Sequence, residues 1–535
     1  MPVKADSPGM GWALSGRAFA AALALTALLF LSQALWLARV LVPSQDEIGT
    51  LFLGSLAASG QIGLYDDQVI GHRAPLPFYV LGFTQVLFGR NLLAGRLLAI
   101  AFGLVTLVLT ALLARRLGGA LCGLLAAAFL AAQGAVVGYY SMADFHSMVP
   151  MIIAAGVLVW LSGDAPWRNV AGTGILASLF FVRTHVMPVI PFALGYGLWR
   201  SRTAKERWAV LAVTAVPPLA FFLSDERHLK LLANVTFVNR FVRRLGYLPP
   251  LFLDARQQES FLSQIWWLIR LARRYEFLLL AAAVAVVLVA WRVIASRRAD
   301  RYLKEPKLHL VAALFLYLLG FQFVFFHINF KWIGMYAVSF APLLVTLLGF
   351  AYSRLLSDAD LSAGFKRALV AFLLAVMALP IYYNRNPVLP IGEMRAADPY
   401  GAAHVAAAHL ARAVPKDAKV FFFGSAEVYY LSGLPATYFP QVYNFNQLAV
   451  LDRDNWVTTR SGFYGMPQVE RWLSAEADYA VVSPWALETY ADLHPEMSRP
   501  KVERIRALLA QYFDLVDRVD EYPYYSYNVY RRKAG

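Results

Sequence analysis

The sequence has almost no cysteine and little charge. Among 535 residues there is one cysteine, Cys122, which lies inside an apolar segment, so an intrachain disulfide and a thiolate metal site are excluded. Charged residues make up 16% of the chain and hydrophobic residues 59%, whereas about a quarter of the residues in soluble domains are charged. This composition predicts a polytopic α-helical membrane protein.

Three functional signals are also missing. The predicted membrane spans contain no acid near their centres, although a proton-coupled transporter is expected to place carboxylates at mid-membrane. The C-terminal part has no Gly-rich phosphate-binding motif. No metal-ligand spacing is clustered, so we predict that no metal or other cofactor is required, with a divalent metal kept as the alternative. The first absence argues against a transporter without deciding the question.

The net charge of +15 would indicate nucleic acid as a partner of a soluble chain. Here much of the basic excess lies in short connections between apolar segments, where it indicates membrane topology and contact with anionic lipid headgroups. We therefore predict membrane lipids, and no nucleic acid, as partners.

Apolar segments predict about eleven membrane spans: 18–42, 92–113, 120–137, 148–161, 169–181, 186–199, 208–223, 277–294, 308–326, 332–352 and 368–383. The first is too long for a signal-peptide core, so we predict that it is not cleaved. The proline-broken residues 75–89 predict an interfacial helix. Alternate connections are basic, which predicts a cytoplasmic N-terminus and places the acid-bearing loops outside.

From residue 384 the composition becomes that of a soluble α/β domain. Residues 419–424 and 477–483 predict strands, Ser425 is placed to cap a following helix, residues 501–513 predict an amphipathic helix, and two strands are expected around Pro523. We predict a transmembrane catalytic domain at 1–383, with outer loops at 43–91 and 224–275. Residues 384–535 would form a periplasmic domain.

Polar groups recur at the predicted outer ends of the spans, where buried charge is costly and usually functional. They are Asp46 with Glu47, Asp144 with His146, Arg183 with His185, and Lys331, and the first outer loop adds His72 with Arg73. Each has a structural alternative. The acids at 46 and 47 fit the start of a short helix, Asp144 fits a cap of the next span, and Lys331 fits headgroup contact. For His72 and His185 the alternative is a hydrogen-bonded interfacial histidine.

Sugar transfer from a polyprenyl-phosphate donor suits this pattern. A lipid phosphate leaves without being protonated, so transfer needs one general base for the acceptor hydroxyl and positive charge near the phosphate. Asp46 or Asp144 supplies the base in this hypothesis. Arg73, Arg183 or Lys331 supplies the positive charge.

The layout resembles the GT-C superfamily of membrane glycosyltransferases, and it is most similar to the branch of protein O-mannosyltransferases and the lipid A aminoarabinose transferase. The matching pieces are QDEIGTLFLGSLAASGQ, HRAPLPFYVLGFTQVLFG with Arg96 beyond it, YYSMADFHSMVPM, the K-x4-Y-x5-P of Lys331, Tyr336 and Pro342, and FFFGSAEVYYLSGLPATYFP. The resemblance implies that Asp46 is the catalytic base and that Glu47 helps to bind donor or acceptor. It further implies that Asp144 is a second acid lining the cavity and that Lys331 lies near the donor phosphate.

Two departures from the family bear on the acceptor class. The familiar form near His72 has consecutive prolines, whereas this chain has Pro75-Leu76-Pro77. The predicted spans number about eleven, and the closest relatives often have more.

We therefore predict an inverting glycosyltransferase that moves a sugar from a polyprenyl-phosphate carrier to an envelope glycan, lipid or protein on the outer face. The predicted catalytic residues are Asp46, Glu47 and Asp144, and the predicted substrate-binding residues are His72, Arg73, His146, Arg183, His185, Lys331 and Tyr336. Residues 224–275 are expected to cover the lipid donor, with Arg240, Arg243 and Arg244 near its phosphate or anchored in headgroups. The outer α/β domain would help to select the acceptor. The alternatives are a flippase for lipid-linked sugars and a non-catalytic assembly factor.

Overall fold

The computed structural model describes residues 15–41, 43, 45–61, 63, 74–226, 228, 231, 275–296, 302–325, 337–383, 399–434, 466–493, 495–520 and 525–534. The chain divides into two compact units. The helical unit comprises residues 1–38, 99–220 and 258–390, and the mixed unit comprises residues 39–98, 221–257 and 391–535. The two units are described separately below.

Among the described residues before 390 there are thirteen helices: α1 (Gly16–Val40), α2 (Gln45–Ala58), α3 (Leu76–Phe88), α4 (Leu92–Ala132), α5 (Gly134–Tyr140), α6 (Met148–Leu161), α7 (Pro166–Ala177), α8 (Val189–Arg200), α9 (Ala204–Ser224), α10 (Glu276–Ser296), α11 (Pro306–Phe325), α12 (Ala341–Leu356) and α13 (Ala363–Tyr383). Short 3₁₀ turns at Ser178–Phe181, Thr184–Val186 and Val338–Phe340 interrupt or extend them.

The C-terminal elements follow as α14 (Pro399–Ala413), β1 (Val420–Phe423), α15 (Ala426–Ser432), α16 (Met466–Arg471), β2 (Tyr479–Val482), α17 (Pro484–Leu493), α18 (Pro495–Tyr512), β3 (Phe513–Asp520) and β4 (Ser526–Arg532). A π-helical turn at Trp472–Glu476 continues α16.

The described helices confirm the predicted class of polytopic α-helical membrane protein. Six are long and apolar enough to cross a membrane: α1, α4, α9, α10, α12 with the turn before it, and α13. Several leave large apolar side chains exposed, and on α10 Val286 and Ile294 are 68% and 77% exposed. Side chains of this kind are stable against lipid rather than water. The number of spans stays a prediction.

Two glycines divide α4 into the two apolar segments that the sequence predicts. Gly118 and Gly119 lie outside helical geometry, and Gly119 has a φ of +84°, which favours glycine. The second segment ends earlier than predicted, at Ala132 instead of Val137. Gln133 is extended there, and α5 begins after it.

In the mixed unit the four strands form one sheet in the order β1-β2-β4-β3. β1 pairs with β2 in parallel, and the other two pairs are antiparallel. The core packs α16, α17 and α18 against this sheet, with Phe421, Phe423 and Tyr490 among its buried side chains. The predicted C-terminal α/β domain is confirmed. Ser425 occupies the N-cap position of α15, as predicted, but its side chain makes no capping hydrogen bond.

Helices α2 and α3 cross at a pair of glycines in the mixed unit. A Cβ atom on Gly82 would lie 2.0 Å from the carbonyl carbon of Gly54, so only glycine permits this backbone approach. α3 has the 13 residues of a helix too short to span a bilayer. Its exposed side bears Phe83, Leu87 and Phe88. The predicted helix is therefore present, and its position at the membrane surface stays a prediction.

The first predicted outer loop falls in the same unit as the C-terminal residues. Phe52 of α2 makes edge-on contacts with the rings of Tyr429 and Tyr430 of α15, at centroid distances of 6.1 and 5.5 Å. The Tyr430 hydroxyl also donates to Gln85 Oε1 of α3 at 2.7 Å. The domain limits predicted from sequence, 1–383 and 384–535, assign α2 and α3 to one domain and α15 to the other. These limits stay predictions.

Candidate active site

Two neighbouring acids occupy the first turn of α2, where the helix dipole favours negative charge. Asp46 is half-buried and Glu47 is fully buried. Successive side chains on an α-helix point about 100° apart, so the two carboxyl groups face different surroundings. Of the pair, Asp46 is the acid that a substrate can reach.

Glu47 forms a bidentate ion pair with Arg96. Arg96 donates from Nε to Oε1 and from Nη2 to Oε2, both at 2.8 Å, and neither side chain is exposed. Arg96 Nη1 also donates to the carbonyl of Leu41 at 2.9 Å. The pair joins the first turn of α2 to α4 and to the chain before α2. The predicted contact of Glu47 with donor or acceptor stays a prediction, and the geometry gives Glu47 a role in fixing α2.

A second buried acid, Glu427, lies beside this ion pair. Its side chain is 5% exposed, and it interacts electrostatically with the Tyr525 hydroxyl, Glu47 and Arg96. Burial, assisted by the charge of Glu47, raises the pKa of Glu427 to about 7. Our sequence-based predictions did not include Glu427. The available signal was a lone acid in a strongly apolar stretch, VFFFGSAEVYYL.

Residues 141–147, between α5 and α6, form an irregular segment in the helical unit, and every residue in it is buried. Asp144 is 2% exposed. Its Oδ1 accepts from the backbone N–H of Phe145 at 2.7 Å, and its Oδ2 lies 3.6 Å from His146 Nε2. Ser147, and not Asp144, is the N-cap residue of α6, so the structure does not support the capping interpretation of Asp144.

The ring of Phe145 gathers three of the predicted substrate-binding side chains. His146 and His185 lie 4.1 and 5.6 Å from it between ring centroids, and the guanidinium carbon of Arg183 lies 3.9 Å from its centroid. Arg183 is half-buried. Within the described part of the chain no carboxylate lies within salt-bridge distance of Arg183. Phe145 was not predicted as a site residue, because an aromatic residue in an apolar chain gives no signal of its own.

Helices α6 to α9 each have one end that lies away from Asp144 and Arg183, and these ends have the composition of a membrane–water interface. Trp167, Trp199 and Trp208 are 63%, 80% and 71% exposed there, and exposed basic residues follow α8 and begin α9, namely Arg202, Lys205 and Arg207. Tryptophan and basic residues concentrate at membrane–water interfaces. The buried amide of Asn169 ties these ends together by donating to Gly197 O and Glu206 Oε1, both at 2.9 Å.

Helices α6 and α8 are too short to reach the other surface. They have 14 and 12 residues, which rise about 21 and 18 Å, whereas the hydrocarbon layer is about 30 Å thick. A helix of this length that begins at one membrane surface ends inside the hydrocarbon layer, so the ends near Asp144 and Arg183 are expected to be recessed. Irregular backbone at membrane depth occurs where it is buried in protein or lines a water-filled cavity.

The structure brings Asp144, His146, Arg183 and His185 together in the helical unit, and it places Asp46 with Glu47 in the mixed unit. The predicted residues His72, Arg73, Lys331 and Tyr336 lie outside the described residues, as do Arg240, Arg243 and Arg244. Among the residues that are described, no group of three or more His, Cys, Asp or Glu side chains is arranged to hold a metal ion. The prediction that no metal is required stays a prediction.

No protein-family model and no curated protein matches the sequence. Solved structures do match the fold. The chain is similar to ArnT from Cupriavidus metallidurans bound to undecaprenyl phosphate, with a TM-score of 0.57 and 16% identity over 96% of this chain and 98% of that one.

The chain is also similar to the oligosaccharyltransferase AglB of Archaeoglobus fulgidus. One structure contains an inhibitory peptide and a dolichol-phosphate (TM-score 0.51, 12% identity, 92% of this chain and 72% of that one). Another contains zinc and sulfate, with a TM-score of 0.53 and 13% identity over 89% of this chain and 70% of that one. ArnT and AglB are GT-C superfamily members. At these identities the likeness establishes architecture, and the chain therefore has the same fold as ArnT and AglB.

Proposed function

We propose that this protein is a glycosyltransferase that moves a sugar from a polyprenyl-phosphate donor to an acceptor hydroxyl. Two neighbours of the same fold bind undecaprenyl phosphate or dolichol-phosphate, which supports a lipid-linked donor here. The reaction breaks the bond between the anomeric carbon and the phosphate oxygen. It forms a glycosidic bond to the acceptor oxygen, whose proton passes to a general base.

The observation that supports this function most directly is the contrast between Asp46 and Glu47. Arg96 binds both carboxylate oxygens of Glu47, whereas Asp46 is half-buried at the start of a helix that this ion pair holds in place. A partly exposed carboxylate on a fixed support suits a reaction that needs a general base. We propose Asp46 as that base and Glu47 as the residue that fixes its helix.

Arg183 supports binding of the donor phosphate. Its guanidinium carbon lies 3.9 Å from the ring centroid of Phe145, and a guanidinium group suits the binding of phosphate oxygens through its N–H groups. We propose that Arg183 contacts the donor phosphate together with the predicted residues Arg73 and Lys331. Asp144 and His146 would bind the sugar or the acceptor.

The distribution of charge supports the predicted orientation. Exposed Arg202, Lys205 and Arg207 mark the cytoplasmic surface in this proposal, so the recessed ends at Asp144 and Arg183 face the periplasm of a bacterial inner membrane. The C-terminal domain would then be periplasmic and would help to select an envelope glycan, lipid or protein as acceptor.

The test is transfer of label from radiolabelled polyprenyl-phosphate sugars to a crude envelope acceptor fraction by the purified protein. Wild type should transfer label from one donor of the panel. Asp46→Asn should reduce the rate by about 10²- to 10⁴-fold, because it removes general base catalysis, while donor binding persists.

The matched control is Asp514→Asn, since Asp514 is an exposed acid on β3, and it should keep the wild-type rate. Undiminished transfer by Asp46→Asn would move the base to Asp144. Movement of intact donor across a vesicle membrane without a new glycosidic bond would indicate a flippase. Donor binding with neither transfer nor movement would indicate an assembly factor.

A further inference from the structure

The buried polar cluster around Glu427 joins parts of the chain that are far apart in sequence. It comprises Glu47 at the start of α2, Arg96 near the start of α4, Glu427 in the first turn of α15, and Tyr525 before β4. Glu47 and Arg96 have no exposed surface, Glu427 is 5% exposed and Tyr525 is 1% exposed. The proposed mechanism does not use Glu427, although a buried acid is costly unless another group compensates it.

Charge balance determines the protonation state of the cluster. It has two carboxyl groups and one guanidinium, and Arg96 directs two of its N–H groups to Glu47. If Glu427 were also ionised, the cluster would contain one uncompensated negative charge without access to water, which is strongly unfavourable. A neutral Glu427 removes that charge, and its buried side chain stays between α15 and the ion pair.

Packing around Glu427 connects it mechanically to α2. Tyr429 and Tyr430 follow it on α15 and pack against Phe52 of α2. Arg90 donates to the carbonyl of Tyr430 at 2.9 Å. A change in the position of α15 would therefore be transmitted to the helix whose first turn bears Asp46.

We propose that Glu427 is a positioning residue, which in its neutral form completes the cluster with Glu47, Arg96 and Tyr525 and so holds the first turn of α2, and Asp46, in the orientation for catalysis. This inference rests on the proposed function of Asp46 as the base. It extends that function to a residue of the C-terminal part and makes the activity sensitive to pH.

The groups that face Glu427 determine the direction of the pH effect. Burial and the charge of Glu47 favour the neutral acid, while Tyr525, Arg96 and the backbone N–H of Glu427 favour the anion, and burial has the largest effect. Tyr527 also interacts with Glu427, and its own pKa is raised by burial. With a pKa of about 7, Glu427 loses its proton as the pH rises through neutrality. The anion then competes with Glu47 for Arg96 and loosens α2.

The first test is the pH profile of sugar transfer by the full-length protein and Glu427→Gln. Glutamine has the shape of the neutral acid and cannot ionise. Wild-type kcat should fall by at least 5-fold between pH 6 and pH 8.5. Glu427→Gln should stay within about 3-fold of wild type at pH 6 and lose this fall. Glu427→Ala should lower kcat at every pH with an unchanged KM for the donor. Glu503→Gln, at an exposed acid of α18, should reproduce the wild-type profile.

The second test does not depend on sugar transfer. Because the folded protein binds the Glu427 proton more tightly than the unfolded chain does, the stabilisation is complete below the ordinary pKa of glutamic acid. It is lost as the pH rises through about 7. The Tm of Glu427→Gln minus that of wild type should therefore increase from pH 5 to pH 8.

Three outcomes would overturn the proposal: a folded Glu427→Gln that is inactive at every pH, an alkaline fall that persists in this variant, or a Tm difference that does not change with pH. If the wild type transfers no sugar from any donor, the proposed function fails. The Tm comparison then still decides whether Glu427 is neutral in the folded protein.

Discussion

At the scale of single residues, the buried guanidinium of Arg96 has the largest energetic consequence. It has no exposed surface, and it is stabilised there by the two oxygens of Glu47 and the carbonyl of Leu41. Removing one partner of a buried ion pair leaves the other charge desolvated and unpaired. The two neighbouring acids of α2 should therefore respond to substitution in different ways. Substitution of Asp46 should abolish activity, whereas substitution of Glu47 should lower the stability of the fold.

We predict that Glu47→Ala destabilises the protein by about 3–5 kcal/mol, the usual cost of an orphaned buried charge. Thermal unfolding in detergent measures this as a lower Tm. The matched control is Glu470→Ala, which removes an exposed ion pair to Arg504 and should cost at most about 1 kcal/mol.

The double variant Glu47→Leu with Arg96→Leu should recover much of the Tm, because apolar residues can replace a buried ion pair at little cost. It should not recover transfer, since Asp46 would lose its support. Equal Tm values for Glu47→Ala and wild type would refute the structural role of Glu47.

The residue pattern marks both Asp46 and Glu47, and the family resemblance implies a base and a substrate contact, but neither predicts that Glu47 fixes its helix. Both are acids in the first turn of one helix, and the difference arises from Arg96, which only the tertiary structure brings to Glu47. Glu427 shows the same limit more strongly. The raised pKa of Glu427 depends on its burial beside Glu47 and Arg96, and no local sequence pattern predicts that burial.

At the scale of secondary structure elements, the crossing of α2 and α3 is the most constrained contact in the mixed unit. We predict that Gly82→Ala is destabilising by roughly 1–3 kcal/mol or more, because the added Cβ would overlap the backbone of Gly54. The measurement is Tm together with the rate of sugar transfer.

The control for this substitution is Gly320→Ala in α11, where an added Cβ meets nothing within 4 Å. Alanine should be neutral or slightly stabilising there. Wild-type Tm and activity in Gly82→Ala would mean that α2 and α3 can separate without cost.

Element positions were largely predictable, because long apolar segments and glycines are local signals. The break in α4 lies at Gly118 and Gly119, between two predicted spans. The end of its second segment was missed, since Gln133 and Gly134 interrupt a stretch that stays apolar up to Val137. The predicted connection between the spans 120–137 and 148–161 contains the irregular segment around Asp144, but the complete burial of that segment was not predictable, because it depends on tertiary packing.

At the scale of the whole molecule, the composition was sufficient to predict a membrane protein with a C-terminal α/β domain. The grouping of residues into units was not predictable. The first outer loop and the C-terminal residues belong to one compact unit, because aromatic side chains such as Phe52 and Tyr430 meet across a long sequence separation.

We predict that deletion of residues 391–535 abolishes transfer rather than changing acceptor preference, because α2 and α3 lose the side chains that cover Phe52 and bind Gln85. Limited proteolysis should show new cleavage within residues 45–91 of the truncated protein. Wild-type transfer with an altered acceptor would instead show that the C-terminal domain only selects the acceptor.

The short helices of the helical unit also affect the surrounding bilayer. α8 has 12 residues and exposes Trp199 at one end, whereas the neighbouring α9 has 21 residues. This difference is a hydrophobic mismatch, which lipids relieve by thinning locally. Under the proposed function, the phosphate of a lipid-linked donor beside α8 would sit closer to the bilayer midplane than in undisturbed membrane, which would shorten its distance to Arg183.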